Sequence, residues 1–337
     1  MRRLAIAVVL LLGTEAAADP APRIRMAAYA PEGTLWAREF HTIDRDIDAA
    51  TAGQLQLKWY LSGIAGDEIQ ALERVHKAQL DGEAGALFCD RLAPSIRIGR
   101  VVGLFQSREE WRYVMTRLLP DLNREFSKSG FSNLGIGSFG NMMFFSRRPI
   151  RTMAELRGQR FWLYDLDDVT VTTMRSMGLN VVPLPLGEGL RAYDEARVDG
   201  FIATPTVALA FQWSTRASYY SDLTVGELPG CFVIAERALD PLPLEHRLAV
   251  TTAVAKFVGR FEALGVQQDA ALLGGLFERQ GLRKVVAPDE LRASFLEAAR
   301  GARDRIAPTL IAPALLTRTL GWLADYRMEH ASAGSRR

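Results

Sequence analysis

The sequence alternates short apolar segments with amphipathic segments in two separate regions, and this alternation limits the possible folds most strongly. In the first region, residues 23–30 and 54–61 and the run GALFCD at 85–90 have strand-like patterns. Segments with helical spacing at 31–51 and 66–80 lie between them. This βαβαβ order predicts an α/β unit with a mainly parallel sheet.

The second region covers roughly residues 140–205. Its strand-like segments are NLGIGSFGNMMFFS, RFWLYD, NVVPLP and DGFIATP, and its helical segments are DVTVTTMRSMG and GEGLRAYDEAR. A further strand, LPGCFVIAERAL, follows, and the remaining chain has mostly helical patterns. The sequence therefore predicts an α/β protein with two lobes and a cleft between them.

The two ends of the chain predict segments outside this fold. Residues 1–18 combine a basic start, an apolar run too short to span a bilayer, and small residues at Ala16 and Ala18. We expect a signal peptide cleaved after Ala18 and a soluble periplasmic protein that begins at Asp19, although a buried N-terminal helix is the alternative. Residues 331–337, ASAGSRR, predict a disordered tail.

Charge and motif content argue against several function classes. The 41 basic and 39 acidic residues are scattered along the chain, so neither nucleic acid nor another polyanion is an expected partner. The four histidines lie in helical segments without metal-ligand spacing, and H-E-x-x-H, C-x-x-C and G-x-S-x-G are missing. We predict no catalytic residues, no metal site and no cofactor.

Two further motifs have ordinary structural interpretations. Gly135, Gly137 and Gly140 match G-x-G-x-x-G, but a strand follows where a dinucleotide site needs a helix. They therefore predict close backbone approach, or bending, where the chain leaves the first lobe. The acidic run at 165–168 predicts a loop that caps the next helix rather than a cation site.

The two cysteines, Cys89 and Cys231, leave two alternatives open. An exported protein is exposed to oxidising conditions, so the two residues could pair. Their separation gives no geometric support for pairing, and both stand in apolar runs. The sequence therefore favours two buried thiols in strands.

Several blocks resemble the DctP-type solute-binding subunits of tripartite ATP-independent periplasmic (TRAP) transporters. These blocks are APEGTLWAREF, GIAGDEIQALERVHKAQLDG, RTMAELRGQRFW and GLNVVPLPLGEGLRAYDEARVDGF, and the similarity covers nearly the whole mature chain. The resemblance implies two α/β lobes joined by crossing strands and by a long bridging helix at 243–280. It also implies a small-molecule ligand and TRAP membrane permease subunits as partners.

The predicted division places residues 19–140 and 227–262 in lobe I, and residues 141–226 and 263–330 in lobe II. A periplasmic receptor that makes no covalent change to its ligand is the first hypothesis. The chain also looks like the subgroup that works with a TPR-repeat periplasmic lipoprotein, so a ligand carrier or sensor is an alternative. A periplasmic enzyme on a similar fold is the third hypothesis.

The resemblance also points to an altered ligand site. In the family, an Arg at the end of the RTMAELRGQRFW-like block pairs with the substrate carboxylate, and the matching residue here is Trp162. A second substrate-facing Arg, common in some members, is replaced by Met142. Both changes predict an apolar or amphipathic ligand. The alternatives are that Trp162 and Met142 are core residues, and that Arg160 supplies the missing cation.

Other candidate ligand-binding residues lie near predicted strand ends, where open α/β sheets bind ligands. Asp67 also fits a helix cap, and Trp36 and Trp213 also fit a helix core. The remaining candidates are Tyr29, Glu32, Cys89 and Pro205.

Overall fold

The computed structural model describes residues 22–334. The predicted signal peptide and its cleavage site therefore lie outside the described residues. The strands are β1 (Arg23–Ala28), β2 (Gln56–Tyr60), β3 (Gly82–Gly85), β4 (Phe131–Ser146), β5 (Arg160–Tyr164), β6 (Asn180–Leu184), β7 (Gly200–Ala203), β8 (Tyr219–Ala235) and β9 (Arg283–Val285).

The helices follow the same chain order, and within residues 22–334 none is long and apolar enough to cross a membrane. They are α1 (Leu35–Ala50), α2 (Glu68–His76), α3 (Cys89–Leu92), α4 (Arg108–Lys128), α5 (Met153–Arg157), α6 (Asp168–Ser176), α7 (Leu186–Asp194), α8 (Pro205–Ala210), α9 (Glu236–Leu239), α10 (Leu244–Ala271), α11 (Phe277–Arg279), α12 (Asp289–Leu310) and α13 (Pro313–Gly334).

Local side-chain chemistry sets the starts of the helices that surround the cleft. Asp67 accepts a hydrogen bond from the Gln70 amide at 2.8 Å, and the Gln70 side chain returns one to the Asp67 amide, which completes a capping box on α2. Asp167 accepts from the Thr170 amide at 3.1 Å and caps α6. The capping role predicted for the acidic run is confirmed.

The strands form one curled sheet in the order β2-β1-β3-β8-β4-β7-β5-β6, and β9 pairs with β8. β1 is parallel to β2 and β3, and β5 is parallel to β6 and β7. Strands β4 and β8 are antiparallel and join these two parallel parts. The predicted α/β fold with crossing strands is confirmed.

The two long strands divide their pairing between the lobes. Residues 131–138 of β4 pair with residues 229–235 of β8, and that end of β8 also pairs with β3. Residues 141–146 pair with residues 219–227, and that end of β4 pairs with β7. The register shifts between Ser138 and Asn141, so the ladder is irregular where the lobes meet.

The glycines of the G-x-G-x-x-G motif lie in or beside this crossing. A β-carbon at Gly135 would come within 2.6 Å of Val258 in α10, so the strand passes directly under that helix. Gly140 has φ +104°, a conformation that residues with a side chain rarely adopt. The interpretation as close backbone approach is confirmed.

Helix α10 bridges the lobes, as predicted for residues 243–280. It packs against α1 and β4 on one side of the cleft and reaches α8 on the other. A π-helical segment, Leu272–Leu276, continues it into α11, with Gly275 at φ +114° inside the segment. The bridging helix is therefore kinked near its end.

The C-terminal helices differ from the predicted lobe division. Helix α12 packs against α6, whereas α13 packs against α4 in the first part of the chain. The lobe boundaries otherwise stay a prediction, but the assignment of the whole of 263–330 to lobe II does not agree with these contacts. The prediction of a disordered tail is wrong for residues 331–334, because α13 continues to Gly334.

Cys89 and Cys231 form a disulfide, with 6.0 Å between their α-carbons. The preference for two free thiols in strands is therefore wrong. Cys89 also lies in α3 rather than in a strand, because β3 ends at Gly85. The next three amides donate to the Glu68 carboxylate instead of to a neighbouring strand. A separation of 142 residues left no spacing signal for the pair.

Candidate functional site

A cavity of about 100 Å³ lies between the lobes. The first part of the chain contributes residues 28–30 at the end of β1 and residues 84–87 at the end of β3. The second contributes Tyr164 at the end of β5, Leu186 after β6 and the α8 region after β7. The walls thus come from the carboxyl ends of parallel strands, the usual ligand position in α/β sheets.

Aromatic rings form much of the cavity wall. Trp36 stacks on Phe261 of α10 at 5.6 Å between ring centroids and meets Phe139 edge to face at 5.7 Å. Tyr29 of the first lobe stacks on Phe211 of the second at 5.7 Å. This last contact joins the two sides of the cleft at the cavity.

Glu68 is the carboxylic acid among the described lining residues. Its oxygens accept hydrogen bonds from the amides of Ala86 at 3.2 Å, Leu87 at 2.6 Å and Phe88 at 2.9 Å. Burial raises the pKa of Glu68, although these amides and the nearby Arg100 act in the opposite direction. Glu68 therefore fixes the loop that forms one wall of the cavity.

None of the described residues that line the cavity is Lys, Arg or His. Arg160 does not substitute for a cationic anchor, because its side chain donates to Asp199 at 3.0 Å and to the Ala196 carbonyl at 2.8 Å. It lies at the amino end of β5, whereas the cavity lies at the carboxyl end. The alternative that Arg160 replaces the missing anchor is not supported.

Arg100 is the cation near Glu68, and it is fully buried outside the cavity wall. Its guanidinium pairs with Asp90 and lies 3.5 Å from a carboxylate oxygen of Asp167. Arg91 approaches Asp168 at 3.8 Å. These ion pairs join the region around α3 to the start of α6. The positive charge of Arg100 is compensated by Asp90 and Asp167.

Trp162 lies in the core of the second lobe and does not line this cavity. It is 2% exposed, and its indole N–H donates to the Leu184 carbonyl at 3.1 Å. The ring meets Trp213 at 4.6 Å, and a β-carbon at Gly189 would lie 2.0 Å from it. The geometry agrees with the core alternative rather than with the predicted cleft position.

Met142 also lies outside the cavity wall. It is 4% exposed and belongs to a hydrophobic cluster on the other face of the second-lobe sheet, with Phe144 and Leu223. The register of β4 shifts between Ser138 and Asn141 and again after Met142, so simple strand alternation could not predict which way Met142 points.

The other predicted residues divide into three groups. Tyr29 and Trp36 line the cavity. Trp213 packs between Trp162 and Phe211, one layer behind the wall. The rest lie elsewhere: Glu32 stands on an exposed groove near His41, Asp67 caps α2, Cys89 is in the disulfide, and Pro205 is buried at the start of α8.

Sequence reasoning missed several lining residues, although one signal was available. Tyr164 follows Trp162 by two positions and ends β5, and the strand-end rule favours the last residue of a strand. Leu186 likewise comes just after a strand, β6, whereas Phe211 directly follows helix α8. Phe139 and Phe261 come from a crossing strand and the bridging helix, and no local pattern marks them as cavity residues.

A buried acidic cluster lies where β4, β8 and α10 meet. Glu227 accepts hydrogen bonds from the side chains of Ser138 and Asn141. Asp269 accepts from the Thr206 amide at 3.0 Å and the Thr206 hydroxyl at 2.6 Å. Burial raises the pKa of Asp269 to about 6, although the Thr206 hydrogen bonds lower it.

We expect the Asp269 carboxyl group to make the free energy of unfolding fall as the pH rises. The pKa of Asp269 is raised from 3.8 to about 6, so its contribution is complete below pH 4 and is lost as the pH passes about 6. The free energy of unfolding of the wild type should therefore drop about 2 kcal/mol more than that of Asp269→Asn between pH 4 and 7.

Urea unfolding at each pH measures this difference. The Asn variant keeps an oxygen that accepts from Thr206. As a control, Asp304→Asn, at a carboxylate with 67% side-chain exposure, should follow the wild type. Parallel pH profiles for Asp269→Asn and the wild type would contradict the prediction.

Comparison with known proteins agrees with this architecture. A structure of a TRAP periplasmic solute-binding protein from Desulfovibrio desulfuricans, with bound sn-glycerol-3-phosphate, aligns with a TM-score of 0.82 and 17% identity over 91% of this chain and 97% of that one. An extracytoplasmic solute receptor from Bordetella pertussis that binds pyroglutamic acid aligns with a TM-score of 0.81 and 19% identity over 90% of this chain and 100% of that one. These likenesses confirm the two-lobed fold.

Two sequence comparisons complete the assignment. An uncharacterised protein of Haemophilus influenzae is 23% identical over 269 residues, which are 73% of this chain and 79% of that protein. The family model of the bacterial extracellular solute-binding proteins, family 7, matches residues 26–307. That match covers most of both lobes, and the chain therefore belongs to the DctP family of bacterial extracellular solute-binding proteins.

Proposed function

We propose that this protein is the periplasmic receptor of a TRAP-type secondary transporter and binds one small apolar or amphipathic molecule between its lobes. It closes over this molecule and delivers it to membrane permease subunits, without making or breaking a bond. The observation that carries the proposal is the cavity between the lobes, whose described wall is largely apolar, rich in aromatic rings, and contains no Lys, Arg or His.

The contrast with similar structures supports the choice of ligand class. The ligands named for them are charged or acidic molecules, including sn-glycerol-3-phosphate, pyroglutamic acid and, in a Xanthobacter autotrophicus protein, β-D-galacturonate. An anion in a closed apolar cavity needs a paired cation, because an uncompensated buried charge costs several kcal/mol. Arg100, a buried cation close enough to act on Glu68, already has Asp90 and Asp167 as partners.

An enzymatic function has less support. It needs an acid, a base or a set of metal ligands that converge on the cavity. The Glu68 carboxylate is occupied by three backbone amides, and the described residues contain no group of three His, Cys, Asp or Glu side chains arranged to hold a metal. A carrier or sensor with a TPR-repeat lipoprotein partner stays a prediction from the sequence resemblance.

Phe211→Ala should weaken binding of an apolar probe about tenfold, because it removes one wall of the cavity and the ring that meets Tyr29 across the cleft. Titration calorimetry of ligand-free protein with ethylbenzene, succinate and pyruvate measures this. We expect ethylbenzene to bind and both carboxylates to fail. Phe105→Ala, at a half-buried phenylalanine outside the cavity, is the matched control.

Micromolar succinate or pyruvate binding without ethylbenzene binding would overturn the apolar assignment. Native mass spectrometry of the protein as purified then identifies the molecule that it carries from the cell.

A further inference from the structure

Two polar atoms of side chains that line the cavity have no hydrogen-bond partner in the described part of the protein. They are the indole nitrogen of Trp36 and the hydroxyl of Tyr164, and both atoms are buried. Trp36 is surrounded by the rings of Phe139 and Phe261, which do not supply a strong acceptor. Buried polar groups in native proteins are nearly always paired, so such orphans point to a bound molecule.

The two atoms come from opposite sides of the cleft. Trp36 belongs to α1 in the first lobe, and Tyr164 ends β5 in the second. The indole nitrogen is a donor and never an acceptor. Burial, together with the nearby carboxylates of Glu68 and Asp67, raises the pKa of Tyr164, so its hydroxyl stays protonated and can donate as well.

The surrounding charges limit what these donors can bind. Glu68, Asp67 and Asp165 all lie close enough to Tyr164 to act on its hydroxyl, so an anion placed there is repelled. An ammonium group has no lone pair, so it cannot accept from the Trp36 indole or the Tyr164 hydroxyl and leaves both donors unpaired. The partner that satisfies both donors is an acceptor without charge.

We propose that the cavity selects an uncharged molecule of about the size of a single ring, whose oxygen accepts hydrogen bonds from Trp36 and Tyr164. Suitable groups are a ketone, an amide carbonyl or an alcohol. The size is inferred from the volume, because a cavity of about 150 Å³ holds benzene and this one, at about 100 Å³, is of the same order. This inference rests on the proposed receptor function and narrows its ligand class.

A series of probes of similar size tests the inference by titration calorimetry of the whole protein. The series consists of acetophenone, ethylbenzene, benzoate and benzylammonium, which differ mainly in acceptor and charge. We expect acetophenone to bind about tenfold more tightly than ethylbenzene, because it alone satisfies the donors without charge. Benzoate and benzylammonium should bind more weakly than ethylbenzene.

Tyr164→Phe and Trp36→Phe each remove one donor. Each should lower the affinity for acetophenone about five- to tenfold and leave that for ethylbenzene within about twofold. The Tm of ligand-free Tyr164→Phe should not fall below that of the wild type, because the lost hydroxyl has no partner in the described protein. This variant keeps the test valid if Trp36→Phe folds poorly.

The outcomes separate this inference from the proposed function. Equal affinities for acetophenone and ethylbenzene, or unchanged acetophenone binding by Tyr164→Phe, overturn the inference but leave an apolar receptor in place. Benzoate binding at least as tightly as acetophenone overturns the requirement for a neutral acceptor. If all aryl probes fail while succinate binds, both the inference and the apolar assignment are wrong.

Discussion

Trp162→Ala should lower the free energy of unfolding by about 3–5 kcal/mol, the range measured when a buried aromatic side chain is truncated. The indole packs against Trp213 and Phe201, and the backbone of Gly189 lies against its ring. Truncation leaves a cavity beneath these rings and removes the hydrogen bond to Leu184. Urea unfolding followed by circular dichroism measures the loss.

Trp322→Ala is a matched control, because this tryptophan lies on α13 and is only half-buried. We expect a clearly smaller loss there. Trp162→Arg should be more harmful than Trp162→Ala, since it places an unpaired guanidinium in the same core. If Trp162→Ala keeps the stability of the wild type but loses ligand affinity tenfold, Trp162 is not a core residue and the prediction that it lines the ligand cleft is correct.

Removing the disulfide should cost about 2–5 kcal/mol of stability. The bond closes a loop with a sequence separation of 142 residues, so its loss gives the unfolded chain much more freedom. The double variant Cys89→Ala with Cys231→Ala avoids stray thiols, and its unfolding should be compared with that of the wild type in oxidising buffer.

Wild-type protein in reductant is the second arm of this experiment and should move toward the double variant. The reductant should leave the double variant itself unchanged. A double variant within about 0.5 kcal/mol of the oxidised wild type would show that the crosslink contributes little, and that packing around α3 fixes the loop by itself.

The sequence predicted the helices and strands more successfully than it predicted the residues that line the cavity. Periodicity located α1, α2 and α6 and the strands β1, β2, β5, β6 and β7, because each carries its own apolar pattern and each of these helices has its own cap. The run GALFCD misled the analysis, since its amides donate to Glu68 instead of extending a strand. That hydrogen bonding depends on a residue about twenty positions earlier in the chain.

Trp162 shows why the site was harder to predict. Alignment with a family anchor identified which residue had changed, but it could not show that the new side chain turns into the core toward Gly189. The rings that do form the wall, such as Phe139 and Phe261, meet only after the crossing strands and α10 assemble. Their sequence environment is that of ordinary buried aromatics.

The short link between the last two helices restricts how the protein can open. Helix α12 is packed on α6 and helix α13 on α4, and only residues 311 and 312 separate them. Such a link spans at most roughly 10–11 Å when fully extended. The two halves therefore cannot draw apart freely on this side without unwinding a helix end. We therefore expect opening to be a rotation whose axis passes near this link, with the mouth of the cleft widening on the opposite edge of the molecule.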